Sequence, residues 1–384
     1  MQKWEQIQGV YIHTPFCLQK CLYCDFASYS GYDTETMEKY VDAVCSEITM
    51  RSNGMPIAEQ ATLYFGGGTP SLLPEKFLAK LVEALQKNGC WLQSAEATIE
   101  VNPGTADLNK LRFFKALGFD RISFGVQSLN NAELRAVGRI HTASEALNAI
   151  KMADKAGFTR VSADLIYGLP EQSLQTLKTS LQNLKAAGLQ HLSVYGLTVE
   201  ENTPLAGLLD KGKLELPDED CQLAMYELVQ EYLEAQGLHR YEISNYAVSG
   251  QESRHNLVYW HYLPYLSFGS SACSFNGSQR FTATDSVTDY IESIQSGKSF
   301  GDFEDLTKET QLAEYLFMGL RTSAGIDLIE AEQRFGCYVM SEFGVELEKF
   351  IRGNLVFCDI EHRRMRLTEQ GMRFSNEIFE IFVK

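Results

Sequence analysis

Residues 157–170 read GFTRVSADLIYGLP, a glycine at the foot of an apolar run. The same device stands on either side, as GFDRIS from Gly118 and GLQHLS from Gly188. Each glycine follows a helical pattern. Before the last, Leu174, Leu177, Leu181 and Leu184 recur at helix spacing. Glycine suits the left-handed residue that ends a helix, and the apolar runs that follow (RISFGVQ, RVSADLIYGL, HLSVYGLT) read as strands. The unit is therefore helix, glycine, strand, three times over, with Thr142 and Glu145 opening one helix as a capping box.

Upstream the alternation continues. GVYIH, ATLYFGG and EATIEVNP read as strands. Residues 33–52 (Met37, Tyr40, Val41, Val44, Ile48) and 74–88 (Phe77, Leu78, Leu81, Val82, Leu85) read as amphipathic helices. Six βα units in roughly 200 residues call for parallel strands covered on both faces. Six are too few for a closed eight-stranded barrel, which leaves a partial barrel or a doubly wound sheet. In either, working residues lie just past the C-terminal ends of the strands. From about Pro204 the rhythm changes. LPDEDCQLAMYELVQEYLEAQG is one long helix, YEISNYAV one strand, and RHNLVYWHYLPYLSFGSSACSF an aromatic, loop-like stretch. The chain after Gly301 is mainly helical, closing with a short strand and an amphipathic helix. The expected divisions are 1–215, 216–300 and 301–384.

The chain has 384 residues, 45% hydrophobic and 22% charged, with a net charge of −16 and no Lys/Arg run, which argues against a nucleic-acid partner. The N-terminal segment MQKWEQIQGVYIHTPF has no apolar h-region, and no apolar run reaches membrane-spanning length, so a cytoplasmic protein is expected. Of nine cysteines, six are scattered (Cys45, Cys90, Cys221, Cys273, Cys337, Cys358) and are expected as buried apolar side chains.

The other three, Cys17, Cys21 and Cys24, fall in HTPFCLQKCLYCDFASY as C-x3-C-x2-C. A structural zinc site would take His13 or Asp25 as fourth ligand, yet such sites usually draw on two ligand pairs and no second pair is near. An iron–sulfur cube normally takes four cysteines. With three, one iron keeps a position for a small molecule.

This spacing just after a first strand resembles the radical S-adenosylmethionine (SAM) superfamily. The resemblance implies a partial (βα)6 TIM-like barrel, a 4Fe-4S cluster on Cys17, Cys21 and Cys24, and SAM chelated by the open iron and split to methionine and a 5′-deoxyadenosyl radical. Tyr23 fits the superfamily's usual aromatic. GGGTP (66–70) is not a phosphate loop, since no Gly-Lys-Ser/Thr follows. The resemblance sets Gly67, Gly68 and Thr69 against the amino group of SAM. It makes Glu100, in EVNP, an acceptor for the ammonium. Arg139 is a match for the carboxylate, Asp164 a partner for the ribose hydroxyls, and Tyr11, Gln127 and Thr198 further SAM contacts.

Over nearly the whole chain the resemblance is closest to oxygen-independent coproporphyrinogen III oxidases and their relatives, the HemW-type haem chaperones. The oxidases carry a cysteine two residues after the third; here that position is Phe26. The chaperones carry CDF and an H-N-x-x-Y-W motif implicated in haem binding, present as HNLVYW from His255 to Trp260. Tyr259, Trp260, Tyr262, Tyr265 and Phe268 would make an apolar surface for a porphyrin. Relatives read G-x-G-x-H near 269–273, where this chain has Cys273, a soft axial ligand or no ligand at all. The resemblance implies a haem chaperone that binds haem and passes it to an acceptor haemoprotein, such as a membrane respiratory enzyme. Its alternative is a radical enzyme acting on propionate side chains.

Overall fold

The computed structural model describes residues 6–91, 95–359, 361 and 363–383. Met1–Glu5, where the segment read for a secretion signal begins, lies outside them. Six strands carry the fold: β1 (Ile7–Thr14), β2 (Ile57–Gly67), β3 (Ala97–Val101), β4 (Arg121–Gln127), β5 (Arg160–Tyr167) and β6 (His191–Gly196). They are parallel and adjacent in chain order. Helices pack their apolar stripes on the outside. Thr34–Ser52 buries Tyr40, Val41, Val44 and Ile48, and its first turn is capped by Asp33, whose side chain accepts from the Thr36 amide at 2.8 Å. Glu75–Lys87 buries Phe77, Leu78, Leu81, Val82 and Leu85. The expected capping box of Thr142 and Glu145 is formed. Gly118, Gly157 and Gly188 end their helices at φ of 103°, 90° and 86°, a region that costs other residues strain. Of the two architectures the repeat leaves open, the six-strand partial barrel that the resemblance implies is the fold.

The barrel does not close on itself. Beyond β1 lies β9 (Tyr265–Phe268), and beyond β6 lies a hairpin of β7 (His239–Glu242) and β8 (Asn245–Ala247). YEISNYAV, read as one strand, is thus two. The turn between them is organised by the buried Glu242 carboxylate, which accepts from the Ser244 amide at 2.9 Å, the Asn245 side chain, and Arg321 at 2.6 Å. The stretch read as loop is also regular. Arg254–Trp260 is a helix, and β9 and β10 (Cys273–Phe275) follow, leading to β11 (Gln279–Ala283) and β12 (Gly301–Asp305) at the far edge of the same twelve-stranded sheet. Elements of three to seven residues are too short to show a period. β12, past the expected division at 301, pairs with β11 in the main sheet.

From Leu306 a second hydrophobic core gathers around Leu316, Leu320, Leu347, Met365, Leu367 and Ile378, with a small antiparallel sheet of β13 (Ile326–Asp327), β14 (Val356–Asp359) and β15 (Arg364–Leu367). Tyr262 and Phe275 pack into this core from the barrel side. The scattered cysteines depart from expectation. Cys90 is buried, while Cys45, Cys221, Cys273, Cys337 and Cys358 are only half-buried. Among the described residues no helix is long and apolar enough to cross a membrane.

Candidate functional site

The cysteines sit on the loop that leaves β1 at the C-terminal mouth of the barrel. The loop is pinned to itself, the Cys17 amide donating to the Tyr29 carbonyl (2.8 Å) and the Tyr29 amide to that of Pro15 (2.7 Å). Phe16, buried against Tyr32 and Tyr40, is its anchor. Cys17, Cys21 and Cys24 all line one cavity of about 570 Å3. Each sulfur has a polar neighbour: Thr69 Oγ1 at 3.6 Å from Cys17, Arg139 Nη1 at 3.4 Å from Cys21, and Ser28 Oγ at 3.7 Å from Cys24. Burial pushes the Cys17 thiol up. Three thiols, a guanidinium and two hydroxyls form a donor set suited to an anionic iron–sulfur cluster. His13 is not a spare ligand. Its Nε2–H donates to the Ala27 carbonyl (2.8 Å) and its Nδ1 accepts from the Tyr11 hydroxyl (3.1 Å). Among the described residues no three His, Cys, Asp or Glu side chains converge as the ligands of one metal ion.

Two of the three glycines have a packing reason of their own. A Cβ on Gly67 would stand 2.5 Å from the His13 ring, and one on Gly68 2.8 and 2.9 Å from the carbonyl oxygens of Phe16 and Thr14. The end of β2 lies directly against the cysteine loop, and only glycine fits there.

Below the mouth the inward faces of the strands line the cavity at two-residue intervals: Glu100 and Asn102 on β3 and beyond, Ser123, Gly125 and Gln127 on β4, Ser162 and Asp164 on β5, Ser193 and Tyr195 on β6. Glu100 accepts from the Tyr64 hydroxyl (2.8 Å) and the Gly67 amide (3.2 Å). Burial, with the nearby Asp164, raises its pKa to about 8. Burial raises Asp164 to about 6, against the pull of hydrogen bonds from Ser193 and Ser123. Arg139 Nη2 donates to Asn102 (2.7 Å) and to the Gly125 carbonyl, while its buried Nε has no partner. Gln127 ends β4 at φ 65°, strained for a residue with a side chain. The mouth thus holds carboxyls on one wall and a guanidinium on another, suited to a zwitterion.

Tyr23, Gly67, Gly68, Thr69, Glu100, Gln127, Arg139, Asp164 and Thr198, all expected around SAM, line this cavity with the cysteines. Tyr11 does not; it stacks on Tyr64 and holds His13. Sequence reasoning missed Asn102 and Tyr64. The signal for Asn102 was present, since it stands two residues beyond Glu100 and its side chain joins Thr69 (2.7 Å) to Arg139.

The expected haem ligands are placed elsewhere. His255 is 1% exposed, and both ring nitrogens are engaged, Nδ1 with Thr62 (2.7 Å) and Nε2 with the Tyr259 hydroxyl (2.8 Å). Burial lowers its pKa to about 3. It is a plug under the barrel, stacked on Tyr64, because helix Arg254–Trp260 carries it in beneath β1 and β2. Cys273 lies on β10, beside Tyr265, with Tyr259 and Tyr265 between it and His255. Of the residues expected to form a porphyrin surface, Tyr262 and Phe268 are buried, while Tyr259, Trp260 and Tyr265 are half-buried.

Comparison with known proteins gives two family matches, the Radical SAM superfamily over residues 11–184 and the HemN C-terminal domain over residues 306–374. Curated relatives named heme chaperone HemW match along nearly the full length. That of Bacillus subtilis is 34% identical, covering 98% of this chain and 99% of the relative. That of Synechocystis is 38% identical over 96% and 95%. Among solved structures, the coproporphyrinogen III oxidase HemN of Escherichia coli superposes with a TM-score of 0.85 at 22% identity, covering 98% of this chain and 90% of that one.

Proposed function

The chain belongs to the HemW family within the radical SAM superfamily, and on that premise we propose that it is a cytoplasmic haem chaperone, binding a 4Fe-4S cluster, SAM and haem and delivering haem to an acceptor haemoprotein. Cys17, Cys21 and Cys24 would hold the cluster. A cluster held there would supply one-electron reducing power. Glu100 receives the ammonium of SAM, Arg139 its carboxylate and Asp164 its ribose hydroxyls, with Tyr23, Gly67, Gly68, Thr69, Gln127 and Thr198 enclosing it. Tyr11 acts through His13, keeping the cysteine loop in place.

The observation that carries the chaperone reading over the oxidase is Phe26. It stands where the oxidases bear a further cysteine, and it is 71% exposed at the cavity rim. A phenyl ring there can neither donate nor accept a proton. The test is anaerobic reconstitution followed by two assays. Haem titration should give about one haem per chain and transfer to an apo-haemoprotein, and Cys21→Ala should lose most of the cluster absorbance near ~400 nm. Turnover of coproporphyrinogen III with SAM and a reductant above the Cys21→Ala control would reverse the reading.

A further inference from the structure

The repeat GFDRIS, GFTRVS, GLQHLS sets Arg121, Arg160 and His191 at equivalent positions, each followed two residues on by an inward serine. Strand register brings them together deep in the barrel, with Thr98 opposite Arg121, Ser123 opposite Ser162 and Ser162 opposite His191. The proposed SAM contacts do not use this floor.

Arg121 is 2% exposed. Its Nη1 donates to the Gln251 carbonyl (2.9 Å), and its Nη2 has no hydrogen-bond partner among the described residues. Arg160 takes the nearby Glu96 at 2.6 Å and Asp120 at 3.7 Å, and among the described residues no carboxylate lies within ion-pair distance of Arg121, which Glu96 reaches only from farther off. A buried guanidinium without a direct ion-pair partner is costly. His191, 3% exposed, points the same way. The Ser253 amide donates to the Tyr241 oxygen (3.3 Å), and the Tyr241 hydroxyl in turn donates to His191 Nε2 (2.8 Å). In that tautomer, assigned from the hydrogen-bond chain, Nδ1 carries the proton, and Nδ1 is unpartnered. Thr98 Oγ1, wholly buried, is unpartnered too. All three side chains line the same cavity, as does Asn256.

We propose that this floor is a subsite for a carboxylate, held by Arg121, His191 and Thr98 beneath the SAM position. Water would satisfy the hydrogen bonds but not the charge. The guanidinium fork matches two coplanar oxygens. A single guanidinium already drawn on by Glu96 from farther off, with Asp164 one layer above, favours a monoanion over a phosphate dianion. The carboxylate belongs either to a small free acid or to an acidic arm of a larger ligand entering from the mouth.

Calorimetric titration of the reconstituted full chain with propionate, with and without saturating SAM, tests this. The expected result is one site per chain with the same affinity in both conditions. Arg121→Gln should weaken binding by on the order of 30-fold or more. The near-isosteric Thr98→Val should weaken it about threefold or more in a chain that still folds. In crystals soaked with 3-bromopropionate, bromine should appear at the floor. Affinity falling along formate, propionate and pentanoate assigns a free acid, and rising affinity assigns an arm. Wild-type binding in Thr98→Val together with His191→Gln, displacement by SAM, bromine beside Arg139, or water alone at the floor would each overturn the subsite.

Discussion

Glu100 concentrates the chemistry of the mouth in one side chain. Its folded pKa, about 8, lies above that of a free glutamate because burial, and then Asp164, oppose its charge. Between the unfolded value of about 4.3 and 8, the folded protein holds a proton that the unfolded chain has released. Stability contributed at this position therefore falls as pH rises through that window, and is flat outside it. Glu100→Gln should give a shallower decline of the unfolding midpoint between pH 5 and 8, measured by thermal scans of the cluster-free protein; an identical slope would mean that Glu100 is already ionised. The same proton offers a second reading. If an ammonium docks on Glu100, it stabilises the carboxylate, so SAM binding at pH 7 should release close to one proton in wild type and none in the variant. Calorimetry in buffers of different ionisation enthalpy measures this. Glu100 and Asp164 were legible because a charged residue within an apolar strand run is conspicuous, whereas Arg139, on the loop after Asn131–Ala136, came from the resemblance. Asn102 could have been found from its place two residues beyond Glu100, but its two contacts across the barrel, to Thr69 and Arg139, could not.

At the scale of elements, the repeat was readable because helix stripes of three or four turns and glycine stops have a period. The HNLVYW stretch hid a helix of seven residues and strands of three and four, whose order comes from pairing with β1 rather than from local pattern. Contact between elements also explains the glycine loop. Gly68 donates its amide to the Thr14 carbonyl (2.7 Å), and its missing Cβ leaves room for the chain at Phe16 and for Cys17 Sγ. The two nearest obstacles to a methyl group are the backbone oxygens of Phe16 and Thr14, which cannot swing aside. Gly68→Ala should push the cysteine loop off β2. After anaerobic reconstitution it should carry well under half the wild-type iron and sulfide, while far-ultraviolet dichroism stays native, because the six-stranded sheet does not depend on this contact. Full cluster content would show that the loop adjusts freely.

Across the whole molecule, the plug under the barrel joins the extension to the strands. His255 reaches Thr62 on β2, stacks on Tyr64, meets Tyr259 on its own helix, and its amide donates to Glu96 (3.1 Å). The same extension sends Tyr262 and Phe275 into the second core. Sequence patterning shows which residues are aromatic but not that two cores share them, so a haem surface and a packed interior look alike until the chain is folded. The two make opposite demands on His255→Ala. An open iron ligand, once lost, would shift the Soret band and leave stability nearly unchanged. A plug, once lost, leaves a cavity and two unpaired hydroxyls, for about 2–4 kcal/mol at pH 7 by denaturant titration. The pH dependence separates them further. Burial holds the His255 pKa at about 3, against about 6.5 unfolded. Below pH 6.5 the unfolded chain takes up a proton that the folded one refuses, so the wild type loses stability at this position as pH falls toward 3. The alanine variant has no such proton to exclude. Its deficit should therefore narrow steadily from pH 7 to pH 4, with the Soret band of the haem-loaded variant unmoved; a constant deficit, or a displaced band, would return His255 to the iron.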